Sequence, residues 1–356
     1  MGKQKVVVGM SGGVDSSFAA AKLKEAGYEV VGVMLNLWTE PSQLGDNRCC
    51  SLDSQYQARR VAAQLDIPLY IIDAKDVFYH IVVEQFIKDY IDGKTPNPCI
   101  NCNANVRWKL LLETARKFGI ETVATGHYAR IVNDGQKDVQ LLKGLDAEKD
   151  QSYVLSMLKT EYLRTTMLPL GEFTKKQVRI RSGEIGLSSS MRPDSQDLCF
   201  LGEMDYRKFL LKYAGDSIQP GEIFDETGKI IGRHDGLPFY TIGQHKKLRI
   251  ANNKPYYVIS KNTTLNKLIV SNSQFQKNIE FRVKDMNWII PMEIGTSTQC
   301  MAKIRYRSKE MPAIIQSLSP ETTLVKIEGS CTPDVTPGQI AAFYLDELCM
   351  GGGIIV

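Results

Sequence analysis

The stretch Val6 to Ser17, V-V-V-G-M-S-G-G-V-D-S-S, constrains the fold most, because it joins an apolar strand to a glycine turn that opens a helix. Lys5 to Val8 reads as a buried parallel strand, and Phe18-Ala19-Ala20-Ala21-Lys22-Leu23 continues as a helix that ends at Gly27. Between them Gly12 and Gly13 carry no Cβ to keep an anion from the backbone. Ser11, Ser16 and Ser17 add hydroxyl donors at the helix N-terminus. A turn of this kind binds phosphate. Asp15 adds carboxylate oxygens where Mg²⁺ on a triphosphate needs a ligand. The spacing is not G-x-x-x-x-G-K-[ST], and the stretch itself offers no lysine to the phosphates.

Tyr28 to Leu35 reads as a second parallel strand, so the opening is a βαβ unit with its loop at the C-terminal ends of the strands. Ligands of open α/β sheets sit at that edge, where Leu35 gives an apolar wall for a purine ring. A helix over 55–66, a strand over 69–73, a helix over 77–92, a helix over 106–118 and a strand over 121–124 extend the pattern to a doubly wound parallel sheet. From about residue 205, turns such as Gln219-Pro220-Gly221 and Ile242-Gly243-Gln244 separate short strands, which predicts a small mixed domain. Beyond about 278, alternating segments such as Gln299 to Arg307 and Ala313 to Leu318 predict a C-terminal β-barrel. The expected organisation is therefore an α/β nucleotide-binding domain over 1–204, a small central linker domain over 205–277 and a β-barrel over 278–356.

With 356 residues, 43% hydrophobic and 24% charged, the chain supports two or three domains with their own cores. A net charge of +4 permits a polyanionic partner without demanding one. No apolar run reaches the length of a membrane span, and Met1 leads straight into the first strand, so the expected compartment is the cytosol.

In such a compartment eight cysteines point to catalysis, metal binding or burial, not to a disulfide framework. Adjacent side chains diverge, so Cys49 and Cys50 are read as unreactive. Thr95-Pro96-Asn97-Pro98-Cys99-Ile100-Asn101-Cys102 reads as a rigid proline-rich turn carrying C-x-x-C, which fits a dithiol, half a zinc site or part of an iron–sulfur site. The cysteines at 199, 300, 331 and 349 are single. Cys199 follows the polar loop Arg192 to Asp197 and is either a core thiol or a reactive one.

Other polar stretches fall at predicted ligand edges. Gly126 lets backbone approach a nucleotide, with His127 beside it as either a structural group or a polar handle. Lys149-Asp150-Gln151 opens a helix, with Asp150 as its cap or with Lys149 and Gln151 meeting a phosphate and a base. Lys303, Arg305 and Arg307 share one face of an expected strand with Tyr306 on the other, which suits a solvated surface or a nucleic-acid contact equally. Pro337-Gly338-Gln339 reads as a turn.

The S-G-G-V-D-S string resembles the PP-loop of ATP pyrophosphatases, which split ATP between the α- and β-phosphates and place AMP on a substrate oxygen. Taken in order with T-P-N-P before a cysteine, A-T-G-H-Y, G-L-D-x-x-K-D-Q-S-Y, the lone Cys199, Y-T-I-G-Q, R-Y-R, T-P-G-Q and C-M-G-G-G-I-I, it makes the chain similar to the tRNA-specific 2-thiouridylases over essentially its full length. The resemblance implies ATP and Mg²⁺ at Gly9, Met10, Ser11, Gly12, Gly13, Val14, Asp15, Ser16, Leu35 and Gly126. It implies a persulfide on Cys199, attack by Cys102 to release the thiolated base, and a flipped target uridine held at Asn97, Pro98 and Cys99. tRNA contacts are implied at His127, Lys149, Asp150, Gln151, Arg305, Tyr306 and Gln339. The implied partners are tRNAs of the lysine, glutamate and glutamine type, with a wobble uridine, and a persulfide donor protein; the enzyme is expected to be a monomer.

Many members of that family carry aspartate where this chain has Cys99. The replacement leaves Cys99, Cys102 and Cys199 as three thiols, a set that would suit a [4Fe–4S] cluster with one iron open to sulfur. The alternatives to a thiolating enzyme are an ATP-dependent ligase built on the same loop and a tRNA-binding sulfur carrier without catalysis.

Overall fold

The computed structural model describes residues 3–41, 52–133, 139–193, 198–248, 250, 255–272, 279–328 and 335–356. Cys49, Cys50, Cys331 and residues 194–197 of the polar loop lie outside the described residues. The chain forms two compact units: residues 1–82, 98–204 and 347–350, and residues 83–97, 205–346 and 351–356. Two segments thus cross the boundaries expected from sequence, 83–97 joining the second unit and 347–350 the first.

The first unit opens with β1 (Lys5–Gly9), α1 (Val14–Glu25), β2 (Glu29–Asn36), α2 (Leu52–Gln64), β3 (Leu69–Asp73) and the short α3 (Lys75–Phe78). A π-helical turn Tyr79–Val83 leads into α4 (Glu84–Ile91) of the second unit, so the single helix expected over 77–92 is two helices around a wider turn. Back in the first unit come α5 (Pro98–Cys102), a π segment Asn103–Arg107 and α6 (Trp108–Lys117), which run as one helical rod. The expected rigid turn at Thr95 to Asn103 is therefore corrected: Pro98 opens a helix. Proline is suited to a first helical position because its fixed φ is helical and its missing N–H would have no partner there.

Next follow β4 (Val123–Ala124), the hairpin β5 (Ala129–Asn133) and β6 (Val139–Lys143), α7 (Ser152–Leu155), α8 (Thr160–Leu163), β7 (Thr166–Met167) and α9 (Lys175–Glu184). β1 sits at the centre of an all-parallel sheet of order β3-β2-β1-β4-β7. Val6, Val7 and Val8 have no exposed surface, which explains why that strand is apolar without alternation. On α1, Phe18, Ala19, Ala20 and Leu23 pack with Val178 and Leu187. The helix ends in a Schellman motif: Gly27 at φ +90° donates to Lys24 O and Tyr28 donates to Leu23 O.

The second unit contains α10 (Tyr206–Ala214), whose Phe209 meets Phe86 of α4 with ring centroids 6.1 Å apart. A small sheet follows from β8 (Gly221–Phe224), β9 (Ile230–His234), β10 (Tyr257–Asn262) and β11 (Lys267–Ser271), in the order β10-β11-β8-β9. β12 (Glu280–Trp288), β13 (Ser297–Lys303), β14 (Met311–Ser319), β15 (Thr322–Ile327), β16 (Ile340–Leu345) and β17 (Leu348–Ile355) run in the order β12-β15-β14-β13-β16-β17. β12 pairs with β17, so the six strands close into the expected barrel. The face expected to display Arg305 and Arg307 is corrected, because β13 ends at Lys303 and a turn follows, with Ser308 N–H donating to Arg305 O at 3.1 Å. Among the described residues, no helix is long and apolar enough to cross a membrane.

Candidate active site

A pocket of about 180 Å³ opens at the C-terminal end of β1, between the loop Gly9 to Ser16 and the residues after β4. The chain runs from β1 outward to β3 on one side and resumes with β4 on the other, so the pocket occupies the topological switch point of the sheet. Val33, Leu35, Leu37 and Leu111 give it an apolar wall, while Met10, Ser11, Asp15 and Ser16 give it a polar end. Gly13 caps α1 with no side-chain hydrogen bond, so the first-turn N–H groups are left for an anion. Ser16 Oγ accepts from Ser11 N–H at 3.1 Å, and both Ser16 and Ser17 hydroxyls donate to Gly13 O. Val14 is buried beneath the loop.

Two glycines hold this shape. Gly12 has φ +75°, and a Cβ there would stand 2.4 Å from Ser54 O. A Cβ on Gly126 would stand 2.7 Å from Asp15 C and 2.8 Å from Ser16 N, which packs the turn after β4 directly on the loop backbone. These residues fit the adenosine and phosphates of ATP: an apolar slot, a cradle that a Cβ would fill, and unused helix N–H donors.

The loop supplies no lysine, but α9 does. Lys175 Nζ lies 2.7 Å from both carboxylate oxygens of Asp15, and Tyr128 Oη donates to Asp15 Oδ1 at 2.7 Å. The expectation of Asp15 as a Mg²⁺ ligand is corrected to this extent: its oxygens face an ammonium group, and a divalent cation takes them only after Lys175 leaves. Arg107 lines the same pocket, and Arg192 donates from Nη1 to Gly12 O at 3.1 Å while pairing with Asp53.

His127 also lines the pocket, stacked obliquely on Trp108 with centroids 5.3 Å apart and sharing a hydrogen bond between Nδ1 and Thr125 Oγ1 at 2.8 Å. Burial, assisted by the Arg107 charge, pushes its pKa down to about 3. The imidazole is therefore a neutral wall group at physiological pH. Because the folded value lies below the unfolded value of about 6.5, the unfolded chain binds the proton first and stability falls as pH drops from 6.5 toward 3. Denaturant midpoints of the wild type are expected to fall more steeply over that window than those of His127→Gln; equal slopes would refute the buried neutral imidazole.

Lys149, Asp150 and Gln151 have divergent surroundings. Asp150 is buried, its carboxylate accepting from Gly144 N–H, Ser152 N–H and Ser152 Oγ. The expected tRNA contact at Asp150 is corrected to the capping role, since its oxygens are committed inside the protein. Gln151 Oε1 accepts from Tyr128 N–H at 2.9 Å and the residue lines the pocket. Lys149 sits in the preceding turn, donating its N–H to Asp146 O.

In the second unit, Arg305 donates to Ile242 O at 3.0 Å and to Thr336 Oγ1. Tyr306 in the same turn is 37% exposed. Gln339 Nε2 donates to Thr95 O at 2.7 Å, and Pro337 O accepts from Thr95 N–H at 2.8 Å, so the Pro337-Gly338-Gln339 turn fixes the strand that leads to Asn97.

Cys99 is exposed and Cys102 buried on α5, whereas Cys199 is half-buried beside Phe200, which packs on Phe78 and accepts from Glu40 N–H at 2.9 Å. No three His, Cys, Asp or Glu side chains among the described residues come together as a metal site, so the convergence of Cys99, Cys102 and Cys199 on a [4Fe–4S] cluster is not what the fold provides. Burial pushes the Cys300 thiol up to about 12, and Cys349 is fully buried, so neither is a nucleophile.

Sequence reasoning missed Lys175, Tyr128, Arg107 and Arg192 as site residues. Only Lys175 carries a local signal: it stands at the first position of α9, behind the Thr174 capping box, where the helix dipole disfavours a cation. Such a placement asks for an external carboxylate.

The chain matches the family model described as the tRNA methyl transferase HUP domain over residues 4–203, the tRNA methyl transferase PRC-barrel domain over 207–272 and the aminomethyltransferase beta-barrel domain over 278–355. It is 44% identical to the tRNA-specific 2-thiouridylase MnmA of Moorella thermoacetica over 98% of both chains. It is 42% identical to that of Acetivibrio thermocellus over the whole of both, and 40% identical to that of Carboxydothermus hydrogenoformans over 100% of this chain and 98% of the other. Full-length identity at this level, over a parallel sheet with its phosphate loop, a small sheet and a closed barrel, shows that the chain belongs to the tRNA-specific 2-thiouridylase family.

Proposed function

We propose that the chain is an ATP-dependent tRNA-uridine 2-sulfurtransferase that activates C2 of the wobble uridine with AMP and replaces its oxygen with sulfur. The observation that carries this reading is the rod Pro98–Lys117. Cys99 and Cys102 stand at its start, and Arg107 and Leu111 of the nucleotide pocket lie farther along it, past the five-residue π segment. At roughly 1.5 Å per residue, Cys102 is within about 8 Å of Arg107 along the axis. A thiol and an activated nucleotide belong to one rigid element.

The uridine O2 attacks the α-phosphorus, the bond to the bridging oxygen of the β-phosphate breaks, and pyrophosphate leaves. Mg²⁺, held by Asp15 and the phosphates, supplies charge neutralisation when bound. The terminal sulfur of a Cys199 persulfide then attacks C2 and AMP departs. Cys102 attacks the Cys199 sulfur, breaking the sulfur–sulfur bond to release 2-thiouridine and leaving a Cys102–Cys199 disulfide that a thiol reductant must reopen. Asn97, Pro98 and Cys99 hold the extruded base, because C2 is unreachable in a stacked uridine. Lys149, Arg305, Tyr306 and Gln339 act on the tRNA side, Gln339 by fixing Thr95 and Pro96.

The test is exchange of labelled pyrophosphate into ATP, which is expected only when tRNA is present, followed by mass spectrometry of the digested tRNA after a persulfide donor is added. Exchange without tRNA, or adenylated tRNA that never acquires sulfur, would overturn the reading.

A further inference from the structure

The Asp15–Lys175 pair raises a question that a simple tether between α1 and α9 does not answer. Lys175 Nζ is 12% exposed at its side chain, stands 2.7 Å from each oxygen of a carboxylate that lines the nucleotide pocket, and is held over the Tyr128 ring at 5.8 Å. The phosphate loop brings no cation of its own, and Arg192, its other basic neighbour, is engaged by Gly12 O, Asp53 and Ser54. Lys175 begins a helix, where the dipole repels its charge, so Asp15 is what stabilises it there.

We infer that Lys175 is the phosphate-binding cation of the adenylation site, parked on Asp15 until Mg·ATP arrives. The inference rests on the proposed ATP chemistry and assigns one further group to it. On binding, Mg²⁺ displaces the ammonium from Asp15, and the ammonium moves onto the β- and γ-phosphate oxygens. Tyr128 Oη keeps its hydrogen bond to Asp15 Oδ1 and preserves the carboxylate orientation throughout. As the α-phosphorus bonds to the uridine oxygen and the bond to the bridging oxygen breaks, the departing pyrophosphate gains negative charge, which Lys175 neutralises without proton transfer. The exchange partner keeps the empty site neutral, so Asp15 and Lys175 are each compensated in both states.

The experiment measures equilibrium binding of ATP, pyrophosphate and AMP to the full-length protein by calorimetry, with and without Mg²⁺. Lys175→Met is expected to weaken ATP and pyrophosphate roughly 30-fold or more while leaving AMP within about twofold, since AMP carries neither β- nor γ-phosphate. Lys175→Arg is expected to recover most of the loss. AMP binding in Lys175→Met also reports that the pocket is folded. Equal weakening of ATP and AMP, or none, would overturn the inference and leave Lys175 a tether. If the wild type binds no ATP, the proposed function fails instead, so the two failures are distinct.

Discussion

Replacing Cys199 with serine is expected to reduce 2-thiouridine formation roughly 1000-fold or more while tRNA-dependent pyrophosphate exchange persists, because a hydroxyl carries no transferable sulfur. Cys102→Ser is expected to lose thiolation equally but to fail differently. A persulfide donor still loads Cys199, and the enzyme then stalls with sulfur bonded to both Cys199 and the base, so intact-mass analysis after loading shows an added 32 Da in Cys102→Ser and none in Cys199→Ser. Sulfur that accumulates on Cys102 when Cys199 is replaced would reverse the two roles. The setting of each residue supports this division: Cys102 is buried on a helix that continues to the nucleotide pocket, and Cys199 is half-buried in a segment anchored by Phe200.

Gly126→Ala is expected to act on the other half-reaction. The added methyl would meet Asp15 C and Ser16 N, both backbone atoms that cannot rotate away, so the loop itself must shift. Overpacking of this kind costs about 1–3 kcal/mol, and here it falls on the donors that hold the phosphates. ATP affinity and pyrophosphate exchange should fall together, by roughly tenfold or more, with thiolation lost in proportion and persulfide loading of Cys199 unchanged. Normal ATP binding in Gly126→Ala would mean that the loop is softer than the packing implies.

The phosphate loop was legible because all of its determinants are local: a buried valine strand, two glycines and a run of hydroxyls within a dozen residues. The same locality hid its partners, since Lys175 reaches Asp15 across 160 residues and Arg192 reaches Gly12 across 180. Pro98 was misread for a different reason. A proline among polar residues marks a turn and a helix start alike, and only the packing of the apolar positions that follow, Ile100, Val106 and Leu111, selects the helix. Arg305 looked like part of a basic stripe because alternation was carried past Lys303, where hydrogen bonds to Ser308 close a turn instead. Asp150 read equally as cap and contact, and its burial decides for the cap.

The π segment Asn103–Arg107 has a consequence for how the two half-reactions are kept in phase. A π turn is an α-helix that has accepted an extra residue, and each residue rotates a helix by about 100°. Deleting a single residue between Cys102 and Arg107 would let the rod close into regular α-helix, and it would swing both thiols of α5 about that angle around the axis while Arg107 and Leu111 stayed against the nucleotide. The timing of sulfur delivery is in this sense written as an angular offset, held in place by one surplus amino acid.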